Sequence, residues 1–322
     1  MYLPSLAELD AAAATVYGVM PPTPQYSWPL LNQALGAEAW VKHENHTPAG
    51  AFKVRGGLVY MEALVRRLPE VRGVIAATRG NHGQSVAHAA RRHGLHATIV
   101  VPRGNSSEKN AATRAFGAEI IEHGADFQES REHANMLAQR DGLHMVPSFH
   151  HDLVAGVASY WLELFRAQPD LDLVLAPIGQ GSGICGAIAA RHALGLKTRI
   201  VGVVSRHAPA YQLSFEARRS IEAPVTTVLA DGLACRVPDP DSLAAVLEFA
   251  DQVMAVNDDE VASAMRLYYR STHNLAEGAG AAALAAAMQA RDSALIKGRK
   301  LGLPLSGGNV DAELFRHILQ GT

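Results

Sequence analysis

Cysteine is scarce in this chain: only Cys185 and Cys235 occur in 322 residues. Two thiols make no disulfide framework, and these two lack metal-site spacing. Charge of one sign is not in excess, because 29 basic and 31 acidic side chains leave a formal net charge of −2. Bulk charge therefore gives no reason to expect nucleic acid or an anionic membrane as a partner. Long apolar runs are missing as well. The longest, such as 279–288, are alanine-rich and too short to cross a bilayer. Residues 1–14 carry Glu8 and Asp10 without a basic cluster, so no secretory signal is expected and the cytoplasm is the default location. Among 15 histidines there is an adjacent pair at 150–151 but no HExxH pattern, and no metal is expected. No Gly-Lys-Ser/Thr completes a Walker loop, and Gly181-Ser182-Gly183 is not a Gly-x-Ser-x-Gly nucleophile elbow.

What is present is an ordinary globular composition, 48% hydrophobic and 19% charged. The length suits one large α/β domain or two interleaved ones. Short β-branched runs at 74–78, 97–101, 119–122, 173–176, 199–204, 252–256 and 300–305 predict strands. Amphipathic stretches at 57–67, 83–92, 109–116, 127–140, 154–167, 184–194, 258–269, 278–290 and 311–318 predict helices. Serines at 106 and 107 and Asn257 offer helix caps. This alternation implies βαβ units and mostly parallel sheets with helices on both faces. Ligands in such folds sit at the carboxyl ends of the strands, so the strand-to-helix turns are the places to search.

Five such segments could carry chemistry. In His46–Gly57, Lys53 lies between Phe52 and Val54, after a Pro/Gly loop and before a helix. Partial desolvation would make its amine easier to deprotonate, as a Schiff-base lysine requires; the alternative is a solvated surface lysine. The segment Thr78-Arg79-Gly80-Asn81-His82-Gly83-Gln84-Ser85 pairs free helix N–H groups with neutral side-chain donors, which could hold a carboxylate or merely cap a turn. Gly179-Gln180-Gly181-Ser182-Gly183 reads as a phosphate cradle at a helix start, or loosely as a dinucleotide loop that lacks its ribose-binding acid. Ser306-Gly307-Gly308-Asn309 could present a hydroxyl to a ligand or be an ordinary turn. Glu277 opens an alanine-rich helix, where it either complements the dipole or serves a site.

Together these segments resemble the fold type II pyridoxal-phosphate enzymes, in the threonine/serine dehydratase and serine racemase branch. The resemblance runs from Thr23-Pro24 to Asn309 with all motifs in family order. It implies a two-lobed, tryptophan synthase β-like α/β fold. A large cofactor-binding domain would comprise 1–72 and 151–322, and a small mobile domain 73–150. Bound pyridoxal 5'-phosphate is implied, with Lys53 as its Schiff-base lysine beside Phe52. Asn81 would contact the ring hydroxyl, Gly179, Gln180, Gly181, Ser182 and Gly183 the phosphate, and Ser306 the pyridine nitrogen, with Glu277 close to the ring. Thr78, Arg79, Gly80, Asn81, His82 and Asp231 would line the substrate site. A neutral hydroxyl at the ring nitrogen suits elimination. The implied activity is loss of water and then ammonia from a β-hydroxy-α-amino acid, by a homodimer.

Two departures bear on specificity. Racemase-type members carry a serine where this chain has Arg79, and a guanidinium is a poor proton shuttle, so racemisation is disfavoured. The stretch 203–209 lacks the acidic ligand of the family's divalent-metal site. The chain also ends near Thr322, so the regulatory domain of biosynthetic threonine dehydratases is not expected. Arg79 could read a second substrate carboxylate, as in 3-hydroxyaspartate, stack on phenylserine, or pair with a protein acid. A racemase or β-replacement enzyme on the same scaffold, a nicotinamide-dependent oxidoreductase and a non-catalytic ligand sensor are the rival functions.

Overall fold

A computed structural model describes residues 3–321; Met1, Tyr2 and Thr322, parts of the terminal stretches considered above, lie outside the described residues. The chain builds two sheets. Strands β1 (Gln25–Ser27), β2 (Glu38–His43), β7 (Leu173–Pro177), β8 (Arg199–Ser205), β9 (Gln252–Val256) and β10 (Lys300–Leu305) form a six-stranded sheet in the order β1-β2-β10-β7-β8-β9. Only β1 runs antiparallel in it. Strands β3 (Gly73–Ala77), β4 (His96–Val101), β5 (Glu119–Glu122) and β6 (His144–Met145) form a second, all-parallel sheet in the order β5-β4-β3-β6.

Thirteen helices are described. They are α1 (Leu6–Tyr17), α2 (Pro29–Leu35), α3 (Lys53–Arg67), α4 (Asn81–Arg92), α5 (Ser107–Ala115), α6 (Phe127–Asp141), α7 (His151–Ala167), α8 (Ser182–Ala193), α9 (Ala210–Ala217), α10 (Pro240–Phe249), α11 (Asp258–Thr272), α12 (Gly278–Gln289) and α13 (Ala312–Gln320). Among the described residues no helix is long and apolar enough to cross a membrane. Helix α12 carries no charge on any face, and ten of its residues are buried. A helix apolar all round must lie inside, and α12 packs against β7, β9 and β10.

The strand-helix alternation expected from sequence is present, but helices α1, α2, α9 and α10 and strands β1, β2 and β6 were not expected, and helix α3 starts earlier than expected. Helix α3 starts at Lys53 rather than at 57, so Lys53 is the first residue of the helix and not part of the preceding loop. Helix α1 was not anticipated, although Ser5 and Glu8 form a reciprocal capping box at its start. Strand β2 was not anticipated either. It ends in Lys42 and His43, both buried, and these residue types hide a strand from any hydrophobic pattern.

Lys42 is buried because it joins a closed ionic network. Arg55 is fully buried; its Nε donates to Glu44 Oε2 (2.7 Å) and its Nη1 to Glu163 Oε1 (2.6 Å). Lys42 Nζ pairs with Glu163 Oε2 (2.5 Å) and donates to the Thr23 carbonyl (2.7 Å). Ser159 Oγ accepts from Arg55 Nη1 (2.9 Å), and Thr23 Oγ1 donates to Glu44 Oε1 (2.5 Å). Two cations and two anions cancel, and each charge is hydrogen-bonded, which is the condition for burying ions. The network fixes the first turn of α3, two residues beyond Lys53, against β2 and α7.

Candidate active site

The site lies where the order of the large sheet reverses. From β7 the chain proceeds to β8 and β9 on one side, and returns through β10 on the other. Crevices at such a reversal, beyond the carboxyl ends of the strands, are where α/β sheets take ligands. The turn after β7 is Gly179–Gly183. Gly181 has φ of 102°, in the left-handed region where side chains are strained, and a Cβ there would collide with Ser242 Oγ. A Cβ on Gly179 would collide with the Gly232 carbonyl oxygen. Tyr211 holds the loop by donating to the Gln180 carbonyl (3.1 Å), and Gln180 Nε2 approaches Cys235 Sγ (3.6 Å). The first turn of α8 has no side-chain cap, so its leading N–H groups face the crevice as an anion cradle.

Lys53 projects into the same crevice. Its Nζ donates to Ser182 Oγ (3.1 Å) and stands 5.2 Å from the centre of the Phe52 ring. The residue keeps a half-open side toward the cleft, yet protein surrounds the amine closely enough for burial to lower its pKa to about 8. Its position is stitched to the turn after β10. The Phe52 N–H donates to the Ser306 carbonyl (2.9 Å), the Gly308 N–H to the Gly50 carbonyl (2.9 Å), and Ala51 bridges Gly307. Ser85 Oγ, from α4, donates to the Lys53 carbonyl (2.6 Å). Ser306 is buried, and its hydroxyl has only a stretched contact to the Ala279 carbonyl (3.4 Å).

The third wall comes from the turn after β3. Asn81 opens α4; its Nδ2 donates to Glu277 Oε1 (2.5 Å), and its Oδ1 accepts from Asn309 Nδ2 (2.8 Å). Glu277 is the N-cap of α12 but makes no capping bond, so its carboxyl serves the site and not the helix. Burial raises its pKa to about 7, against the pull of Lys109. Lys109 Nζ bonds Asp231 Oδ2 (2.7 Å) and lies 3.6 Å from Glu277 Oε2. His82 is held neutral, its pKa lowered to about 3 by burial and by the Lys53 charge. Thr78 Oγ1 accepts from the Gly80 N–H (3.0 Å), shaping the turn.

The crevice thus collects Phe52, Lys53, Asn81, Gly179–Gly183, Glu277 and Ser306, with Asp231 joined to them through Lys109. Arg79 is different. It sits on the β3–α4 turn, but its side chain is exposed and makes no hydrogen bond or ion pair. The alternative that it pairs with a protein acid is therefore not realised. Lys109 and Asn309 were missed as site residues. Lys109 had a signal: a cation in the first turn of a helix opposes the dipole, so it must have a reason to be there. A hollow of about 440 Å³ at the amino ends of β2 and β10 is no rival, because its charges Asp172, Arg299 and Lys300 are neutralised by partners at its own rim.

Known proteins resemble this chain in sequence and in fold. The chain is 32% identical over 316 residues to the L-threonine ammonia-lyase of Thermotoga maritima, spanning 98% of this chain and 78% of that protein. It is 29% identical over 324 residues to the L-threo-3-hydroxyaspartate ammonia-lyase of Saccharomyces cerevisiae, spanning 100% and 98%. The structure of maize serine racemase superposes with a TM-score of 0.91 at 27% identity, covering 99% of this chain and 98% of that one. Residues 17–307 match the family described as pyridoxal-phosphate dependent enzyme, and with Lys53, the glycine cradle and Ser306 converging on one crevice, the chain belongs to that family.

Proposed function

We propose that the protein is a hydroxy-amino-acid dehydratase, converting a β-hydroxy-α-amino acid to a 2-keto acid and ammonia with Lys53 as the catalytic residue. The observation that carries this is the Lys53 amine, closely surrounded by protein so that its pKa falls to about 8, and bonded to Ser182 at the mouth of the cradle. The residues fit the family's cofactor. The cradle has no room for a Cβ at Gly179 or Gly181, and His82 Nε2 and Gln84 Nε2 are buried without hydrogen-bond partners. Native proteins rarely leave such atoms unbonded unless a ligand completes them.

Bound here, pyridoxal phosphate supplies the electron sink that makes the proton next to a substrate carboxylate removable. The amides of Gly179–Gly183 and the Ser182 hydroxyl would hold its phosphate, Lys53 its carbonyl carbon, Asn81 its ring hydroxyl and Ser306 its ring nitrogen. The amine of Lys53, once free, accepts the substrate's Cα proton. The Thr78 hydroxyl and the uncapped N–H groups of Asn81 and His82 would hold the substrate carboxylate at the start of α4, on a turn that the Gly80 N–H to Thr78 Oγ1 bond shapes. Ser306 offers a neutral hydroxyl where a carboxylate would keep the ring nitrogen protonated, and this supports elimination.

The test is keto-acid and ammonia release from L-threonine, L-serine, L-threo-3-hydroxyaspartate and phenylserine. Equimolar release from at least one supports the proposal. Racemised substrate without keto acid favours the racemase alternative and contradicts it.

Arg79 is proposed to read the far end of the substrate. Because it is exposed, its contribution is that of a solvated charge contact, about 0.5–1 kcal/mol. Arg79→Ser should lower kcat/KM for 3-hydroxyaspartate by roughly two- to fivefold, through KM, and leave threonine and serine unchanged. Equal effects on all three would show no carboxylate reading.

Residues 73–150 are proposed to move as a small lobe over 1–72 and 151–322, supported by their own sheet. X-ray scattering that is unaltered by a bound substrate analogue would contradict the motion. A cytoplasmic homodimer completes the proposal and rests on the family resemblance; a single-chain mass by light scattering would contradict the dimer.

A further inference from the structure

Helix α5 belongs to the four-stranded sheet, and its first turn reaches across to segments attached to the six-stranded one. Ser106 Oγ donates to Asp311 Oδ1, the Ala312 N–H donates to Glu108 Oε1 (2.9 Å), and Lys109 Nζ reaches Asp231 (2.7 Å) and Glu277 (3.6 Å). Lys109 is 8% exposed, so its stem is packed and only its ammonium is committed to these acids. A buried lysine normally loses affinity for its proton. Here burial does pull that way, but Glu277 and Asp231 outweigh it and the ammonium is stabilised.

Glu277 connects this cation to Asn81. As a carboxylate it can only accept, so it takes the Asn81 Nδ2 hydrogen. Asn309 fixes the other end: its Nδ2 donates both to the Ala49 carbonyl (2.8 Å) and to Asn81 Oδ1 (2.8 Å). The Asn81 amide is thereby held in one orientation, with a second Nδ2 hydrogen left for a ligand. A protonated Glu277 could donate instead, and the Asn309 bond alone would then hold the orientation.

We propose that Lys109 is a positioning residue that keeps Glu277 an acceptor and so fixes the amide of Asn81, and that it does so only while α5 is docked across the crevice. The docked helix and the correctly oriented amide are then one state. The inference rests on the proposed function insofar as Asn81 faces the cofactor ring. The charged groups facing Glu277 are Lys109 from α5 and Asp231 from the turn at Asp231–Leu233; Asp311, before α13, acts on Lys109. Lys109 holds the raised pKa of Glu277 down to about 7; without it, burial and Asp231 push the value higher, opposed only by the Asn81 hydrogen bond.

The test uses Lys109→Met, Lys109→Arg, Glu277→Gln and the double variant K109M/E277Q. Two readouts apply: visible absorbance of the cofactor-loaded resting enzyme as a function of pH, and amide hydrogen exchange of α5 in the cofactor-free protein. The loaded wild type should show an absorbance transition that Lys109→Met moves alkaline by roughly one pH unit or more, and α5 should exchange roughly tenfold faster; a wild type without such a transition overturns the proposal. Lys109→Arg should restore both, because it returns the cation. Glu277→Gln should erase the transition, leaving the double variant nothing further to shift. A wild-type transition retained in Lys109→Met or in Glu277→Gln overturns the proposal, as does unchanged exchange in α5. Should Lys109→Met fail to fold, Glu277→Gln still decides it. If the wild type turns over none of the substrates, the dehydratase reading falls while both readouts still test Lys109.

Discussion

Replacing Lys53 by alanine should remove turnover, lowering keto-acid release by roughly 10³-fold or more, since a positioned acid-base group alone contributes about 10²–10⁴ and this amine is proposed to hold the cofactor as well. Its environment is specific to the role. The amine has no carboxylate partner, only the Ser182 hydroxyl, and burial sets its pKa at about 8. A salt-bridged lysine would be held charged and could not take a proton. Lys53→Ala keeps the backbone bonds that tie residues 50–52 to 306–308, so the fold should persist with a melting temperature close to wild type. Activity within tenfold of wild type in the alanine variant would show that another group is the base.

The largest stability loss should come from Arg55→Ala. The guanidinium is fully buried and shared between Glu44 and Glu163, with Ser159 as a third partner. Removing one side of such a pair strands buried charge, at a cost of about 3–5 kcal/mol. The melting temperature should fall by roughly 6–10 °C. Cofactor affinity should weaken too, because the same side chain anchors the first turn of α3. Glu163 adds a pH signature. Burial alone would raise its pKa, but the charges and hydrogen bonds of Arg55 and Lys42 together outweigh burial and hold it below the usual value. A lowered carboxyl pKa contributes stability that is present above the unfolded value and lost as pH falls through the folded one. Without Arg55 that acid-side loss should begin at higher pH. A variant melting within 1–2 °C of wild type (roughly 0.5 kcal/mol by the same scaling) would contradict the account.

Much of this was legible in the sequence, for identifiable reasons. Buried parallel strands read as short apolar runs, so β9 and β10 fell on their expected residues, 252–256 and 300–305. The glycine cradle and Lys53 were legible because their cause is local: a turn that only glycine can make, and a lysine flanked by Phe52 and Val54. Contacts between distant segments were not. Lys109 meets Asp231 across 122 residues, and Asn81 meets Glu277 across 196. Nothing in a linear pattern announces such a meeting. The ionic network was invisible for the same reason, and it also concealed β2, whose Lys42 looks like a surface residue until Glu163 is placed beside it. Arg79 shows a different limit: the sequence left open whether it meets a substrate or pairs with a protein acid, and the folded turn leaves it exposed without a protein partner.

The most direct test of the account is to treat the cofactor-loaded protein with borohydride, which fixes the cofactor to whichever amine holds it, and to map the tryptic peptides by mass spectrometry. The account predicts the added mass on a single peptide covering residues 43–55, left uncleaved at Lys53. Added mass on any other lysine, Lys109 included, or no fixed cofactor at all, would contradict it.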